Sequence, residues 1–105
     1  LVGEIDVAEL GTGEARRYFF DADPDAIYDA FAVCDCGNLD MVAYDDDDKT
    51  LASDLAGDNR PGIEVWSDKW PEARRRGRQK LVIEVKMAEC GRASCGYSVG
   101  LYKAK

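Results

Sequence analysis

Four cysteines, at positions 34, 36, 90 and 95, are the most reactive side chains in a chain of 105 residues that contains no histidine. Without imidazole, the commonest general base and the commonest transition-metal ligand are both missing. A Ser-His-Asp or Cys-His nucleophilic site therefore cannot be built from this chain. Zinc would need all four thiolates, and their spacing is not the paired C-x2-C of a zinc ribbon. Disulfides are the expected use, and they imply an oxidising compartment: periplasmic, cell-surface or extracellular. Cys90 and Cys95, with Gly91-Arg92-Ala93-Ser94 between them, suit the base of a hairpin loop. Facing positions on paired antiparallel strands lie about 4.5–5.5 Å apart, within disulfide reach. Cys34 and Cys36 fit less easily, because residues i and i+2 of an extended strand lie about 6.6 Å apart. Two connectivities stay open: a direct Cys34–Cys36 bond across a bend helped by Gly37-Asn38, or bonds from each to Cys90 or Cys95. Redox catalysis is disfavoured, since thiol–disulfide enzymes use C-x-x-C opening a helix.

Carboxylates are the other abundant chemistry. Asp and Glu number 21 against 14 Lys and Arg, a net charge of −7. That balance argues against nucleic acid as the main partner, because phosphate selects a basic surface. Asp21-x-Asp23-x-Asp25 begins like an EF-hand loop, but Ala26 stands where the turn glycine belongs and Ala32 where the bidentate Glu belongs. The plain reading of these acids is solvated turn residues. Hard oxygen ligands also suit calcium, which makes Asp21, Asp23, Asp25, Asp35, Asp40 and Asp45–Asp48 candidate ligands; no other cofactor is expected. Paired carboxylates could in principle hydrolyse glycosides, yet so short a chain offers little room for a cleft, and a non-enzyme is expected.

Two charged runs stand out as candidate contact sites. Asp45, Asp46, Asp47 and Asp48 form one pole; Arg74, Arg75, Arg76 and Arg78 form the other. Residues 1–68 carry 18 acidic and 4 basic side chains, and residues 69–105 carry 3 and 10. Much of that imbalance is expected to neutralise between neighbouring strands. Trp66, Trp70 and the tyrosines could stack on sugars, though aromatics in a small β domain are more often core.

The elements that must position these groups follow a period of two, the mark of strands. Ile5 and Val7 alternate with Glu4, Asp6 and Ala8. Strands follow at Arg17–Phe20, Ala26–Cys34, Leu39–Tyr44, Thr50–Asp54, Ile63–Trp66, Leu81–Met87 and Tyr97–Tyr102, separated by Asp-, Pro- and Gly-bearing turns. Asp45–Lys49 closes a hairpin, and only residues 68–76 hint at helix, weakened by Pro71. Seven or eight short strands spaced about ten residues apart predict a single all-β domain, an antiparallel sandwich or barrel. The first 12 residues form a strand that pairs within the domain or with a neighbour's sheet edge. The longest apolar run has five residues, Ala30–Cys34, against the ~20 of a membrane-spanning helix.

Several stretches together resemble the bacterial pre-peptidase C-terminal domain family, in its cysteine-bearing subgroup. They are Gly13-Glu14, Arg17–Ala22, Ala26–Tyr28, Ala32–Asp35, Asn38–Asp45, Leu51–Asp54 and Cys90-x4-Cys95-Gly96-Tyr97. Asn38-Leu39-Asp40-Met41-Val42-Ala43-Tyr44-Asp45, similar to the family's D-L-D-L-x-L-Y-D strand, is the most specific. The resemblance implies a β-sandwich of jelly-roll type, non-catalytic and extracellular, of a kind in which some members bind calcium or polymeric substrates. The chain departs from the pattern at Asn38 and at Asp46–Lys49, where the family has Asp and a Gly-bearing turn.

These readings converge on a free-standing module that works by binding. The expected role is an interaction or assembly module, an accessory or structural subunit of a surface or secreted complex, with a protein or another copy as partner. The alternative is a carbohydrate- or matrix-binding module that targets a secreted enzyme.

Overall fold

Period-two sequence becomes eight strands: β1 (Gly3–Leu10), β2 (Ala15–Ala22), β3 (Tyr28–Cys34), β4 (Gly37–Tyr44), β5 (Thr50–Asp58), β6 (Gly62–Val65), β7 (Gln79–Cys90) and β8 (Cys95–Lys103). The structure is a computed structural model and describes residues 3–23, 25–34, 37–66, 70 and 79–103. The strands make two four-stranded antiparallel sheets, ordered β1-β8-β3-β6 and β2-β7-β4-β5. The nested pairs β1/β8, β2/β7, β3/β6 and β4/β5 are those of one long hairpin rolled into a sandwich. This is the jelly-roll arrangement.

β7 shows why the sequence folds this way. Leu81, Ile83, Val85 and Met87 all point inward and are buried, while Glu84, Lys86 and Ala88 alternate outward. Leu39, Met41 and Ala43 of β4 extend the same inner layer, opposed by Ala30, Ala32, Tyr97, Val99 and Leu101 of the first sheet. Trp70 is 1% exposed and is the largest fully buried side chain. Gly37 is required where β4 meets β7, because a Cβ there would run into the Glu89 carbonyl and lie 2.9 Å from Met87 Sδ.

β3 and β1 orient against their own hydrophobicity. β3 turns Tyr28, Ala30, Ala32 and Cys34 inward and leaves Phe31 and Val33 outside. The opposite phase would bury Asp29, an unpaired charge in a dry core. Small residues inside also interdigitate with the large ones of β4 and β7. In β1 a bulge lies between Glu4 and Asp6, after which Asp6 reaches inward to Tyr18 and Val7 is left 67% exposed. β1 pairs with β8 of its own chain.

The cysteines correct two expectations. Cys90 and Cys95 are bonded, with Cα atoms 6.0 Å apart, but they do not close a hairpin. β7 belongs to one sheet and β8 to the other, so the bond clasps the corner where the chain crosses between sheets. Thr12 secures the same corner: its Oγ accepts the Cys90 N–H at 3.0 Å and donates to the Cys90 carbonyl at 3.2 Å. Cys34 enters no disulfide. It faces the core, where its Sγ accepts the Gly37 N–H at 3.1 Å and sits 4.0 Å from Met87 Sδ. Both pairings that used Cys34 are thereby excluded. Cys36, Asp35 and the helix hint at 68–76, Trp70 aside, lie outside the described residues.

Candidate functional site

The two sheets present very different outer faces. On the first sheet, the central strand β8 points Gly96, Ser98, Gly100 and Tyr102 outward. Gly96 and Ser98 are small and partly exposed while Gly100 is buried, so the face carries a shallow trough at the Gly96–Ser98 end of β8. Its walls come from the flanking strands: Val7 stands opposite Ser98 on one side, and Val33 opposite Ser98 and Phe31 opposite Gly100 on the other. The Phe31 ring stacks on Tyr102, centroids 5.3 Å apart. Val7, Phe31 and Val33 are each at least 37% exposed. Among the residues whose side chains are described, the charges of this face are Glu9 at one end and Asp29 facing Glu64 at the other, and Glu4 of β1 is the register partner of Gly100.

The second sheet shows what a solvated face looks like. Arg17 of β2 donates to Glu84 of β7 at 2.9 Å and to Asp48 at 3.0 Å, and its guanidinium lies 4.8 Å from the Tyr44 ring centre. Lys80 pairs with Asp21 at 3.1 Å, and Lys86 stands opposite Asp40. Arg17–Glu84 and Lys80–Asp21 join the acidic and basic halves of the sequence across neighbouring strands. Phe19 and Leu55 are exposed singly amid this lattice, which is ordinary for a surface.

A shallow groove of about 380 Å³ opens between edge strands β5 and β6, lined by Leu51, Ala52, Ser53, Gly62, Ile63, Glu64 and Trp66. Trp66 is 46% exposed and Trp70 is buried, so the sugar-stacking expectation survives for one tryptophan and fails for the other.

The acidic candidates are dispersed. Asp21 is committed to Lys80, and Asp23 accepts the Asp25 N–H at 2.9 Å in an Asx turn. Asp40 lies mid-strand on the outer face of β4. Asp45 is 1% exposed, and its Oδ1 accepts the N–H groups of Asp47 and Lys49, both at 2.9 Å. Among the described residues, no three acidic or cysteine side chains gather as a metal site. The tetra-Asp run is thus divided: Asp45 is an internal brace of the β4–β5 turn, and Asp46, Asp47 and Asp48 are exposed. Asp48 holds the left-handed φ of 62° that this turn demands. Arg74, Arg75, Arg76 and Arg78 lie outside the described residues.

A half-buried polar chain closes the edge where β1 lies over β2. Tyr18 donates to Asp6 at 2.9 Å, so the 2.6 Å contact between phenols has Tyr97 donating to Tyr18. Burial first, then the hydrogen bonds to Tyr97 and Asp6, push the Tyr18 phenol well above its ordinary value. Burial and Glu84 raise Tyr44 in the same direction. Phenols whose folded pKa is raised contribute stability that is fully present below about pH 10 and lost as pH rises through it. Urea midpoints should therefore fall between pH 9 and pH 11, and Tyr18→Phe should remove most of that fall. An unchanged pH dependence in the variant would assign the loss elsewhere.

Sequence reasoning looked to the charged runs and passed over Val7, Phe31, Val33 and the β8 trough. The trough was readable in Gly96-x-Ser98, which alternates with Tyr97 and Val99. The wall residues were not, because β3 is apolar on both faces. Among the described residues no helix is long and apolar enough to cross a membrane. Neither a family model nor a curated protein matches the chain.

Proposed function

We propose that this protein is a non-catalytic interaction module of an extracellular or surface complex, and that it docks through the outer face of the β1-β8-β3-β6 sheet. One observation carries the reading. In a chain that is 33% charged, this face groups the exposed Val7, Phe31 and Val33 beside the partly exposed Gly96 and Ser98, with Tyr102 stacked on Phe31. Contiguous exposed apolar surface on a small domain marks a contact site. The Cys90–Cys95 bond supports an oxidising compartment, as does the resemblance to the pre-peptidase C-terminal domain family. The test is isolation from the native source beside a Val7→Lys/Val33→Lys variant. The unmodified chain should travel in a species larger than itself, and the variant as a single folded chain with its melting temperature within a few degrees. Equal complex size for both would refute the reading.

A second reading, targeting by glycan binding, is favoured by Trp66 in the β5/β6 groove with Glu64 and Ser53 beside it. It predicts retention on a polysaccharide matrix that Trp66→Ala abolishes. Retention unaffected by that change would sink it.

A further inference from the structure

The docking face proposed above carries acids that nothing balances, and we infer that the partner it takes is a basic protein segment, anchored by an arginine between Asp29 and Glu64. The inference rests on that face being a contact surface and adds the chemistry of what meets it. Asp29 of β3 and Glu64 of β6 are register partners with both side chains outward. Facing positions of this kind bring two side chains to about 5 Å, where like charges oppose the pairing of the strands. Neither carboxylate meets a cation or a hydrogen-bond donor among the described residues, Arg60 and Lys103 included. β1 adds Glu9 and, in register with Gly100, Glu4. The opposite sheet behaves differently: its Glu84 and Asp21 are held by Arg17 and Lys80. The acids of the docking face are complementary to a cation from outside.

The surroundings select arginine over lysine. Tyr102 is the register partner of Asp29 on the side away from Glu64, and its ring stacks on Phe31 at 5.3 Å with 11° between the planes. A guanidinium donates to two carboxylates through separate N–H groups and lays its plane on an aromatic ring, which an ammonium cannot do. The chain already uses this device on its other sheet, where Arg17 donates to Glu84 and Asp48 and lies 4.8 Å from the Tyr44 ring centre. Asp29, Glu64 and Tyr102 repeat that set without the arginine. From Asp29 the face runs along β3 through Phe31 to Val33, a span of about 13 Å. An extended segment with apolar side chains two and four residues from its arginine covers that row, because alternate side chains share a face. So small a footprint makes a transient contact.

Chemical-shift titration of the full chain with the capped peptide Ser-Arg-Ser-Leu-Ser-Leu-Ser tests this. Shifts are expected at Asp29, Phe31, Val33 and Glu64. Replacing the peptide's arginine by citrulline, alike in shape but uncharged, should weaken binding about tenfold. Asp29→Asn/Glu64→Gln should weaken it by a similar factor, with the melting temperature unchanged or higher because the like-charge pair is relieved. Asp46→Asn/Asp47→Asn changes the net charge equally and should leave affinity within about twofold. Raising salt from about 20 to about 300 mM should weaken the arginine peptide several-fold and the citrulline peptide little. Equal affinity for the two peptides, or equal losses in the two double variants, would overturn the inference. If both peptides bind alike and Val7→Lys/Val33→Lys abolishes both, the arginine falls and the docking face stands. Retention on a glucosamine polymer that Asp29→Asn/Glu64→Gln abolishes, with neither peptide bound at millimolar concentration, would give the corner to an amino sugar and overturn the protein segment.

Discussion

Asp45→Ala is expected to lower the unfolding free energy by about 3 kcal/mol, a large fraction of the roughly 5–15 kcal/mol that holds a domain folded. The side chain is 1% exposed and one oxygen accepts two backbone N–H groups, from Asp47 and Lys49. Hydrogen bonds to charged groups each contribute about 1.5–3 kcal/mol, and donors left dry cost their desolvation. Alanine removes the acceptor while the turn still has to hold Asp48 at φ 62°. Asp45→Asn keeps a carbonyl acceptor and should lose only about 1 kcal/mol. Urea titration at neutral pH measures both. Alanine and asparagine variants of equal stability would show that the turn is held by other means. The same comparison separates Asp45 from its neighbours, since Asp46 and Asp47 are exposed and their replacement should fall within about 0.5 kcal/mol.

Removing the disulfide, as Cys90→Ala/Cys95→Ala, should cost about 3 kcal/mol. Closing a loop of this length contributes about 2 kcal/mol in the chain-entropy model. Loss of the sulfur packing of Cys95, which is fully buried, adds about 1 kcal/mol. The bond spans the crossing from one sheet to the other, so its loss loosens the corner that sets where β8 starts in its own sheet and, with it, the trough on the outer face. Reductant should lower the melting temperature of the unmodified chain and leave the double variant untouched. If reductant leaves both unchanged, the corner is secured by Thr12 and packing alone.

The strands were legible because their chemistry is local. Leu81-x-Ile83-x-Val85-x-Met87 admits no other reading, and Asp45–Lys49 between Tyr44 and Thr50 reads as a turn. Sheet membership was not, because it is long-range. A five-residue span from Cys90 to Cys95 serves a hairpin and a sheet crossing equally well; the crossing is selected by β7 lying between β2 and β4. The orientation of β3 was hidden for another reason. Ala30, Ala32 and Cys34 are as apolar as Phe31 and Val33 for a period-two reading, and Asp29 alone shows which side stays wet. In β1 the bulge near Ile5 shifts the phase, and bulges leave little trace in sequence. The candidate site therefore came from orientation, while the sequence drew attention to charge.

That site is tested most directly by hydroxyl-radical footprinting of the assembled protein against the dilute single chain. Oxidation of Phe31 and Tyr102 should slow several-fold on assembly, with Phe19, equally aromatic and 62% exposed on the opposite sheet, reacting at an unchanged rate. Equal reactivity of Phe31 and Tyr102 in both states, with protection moving to Phe19 or Trp66, would contradict the account.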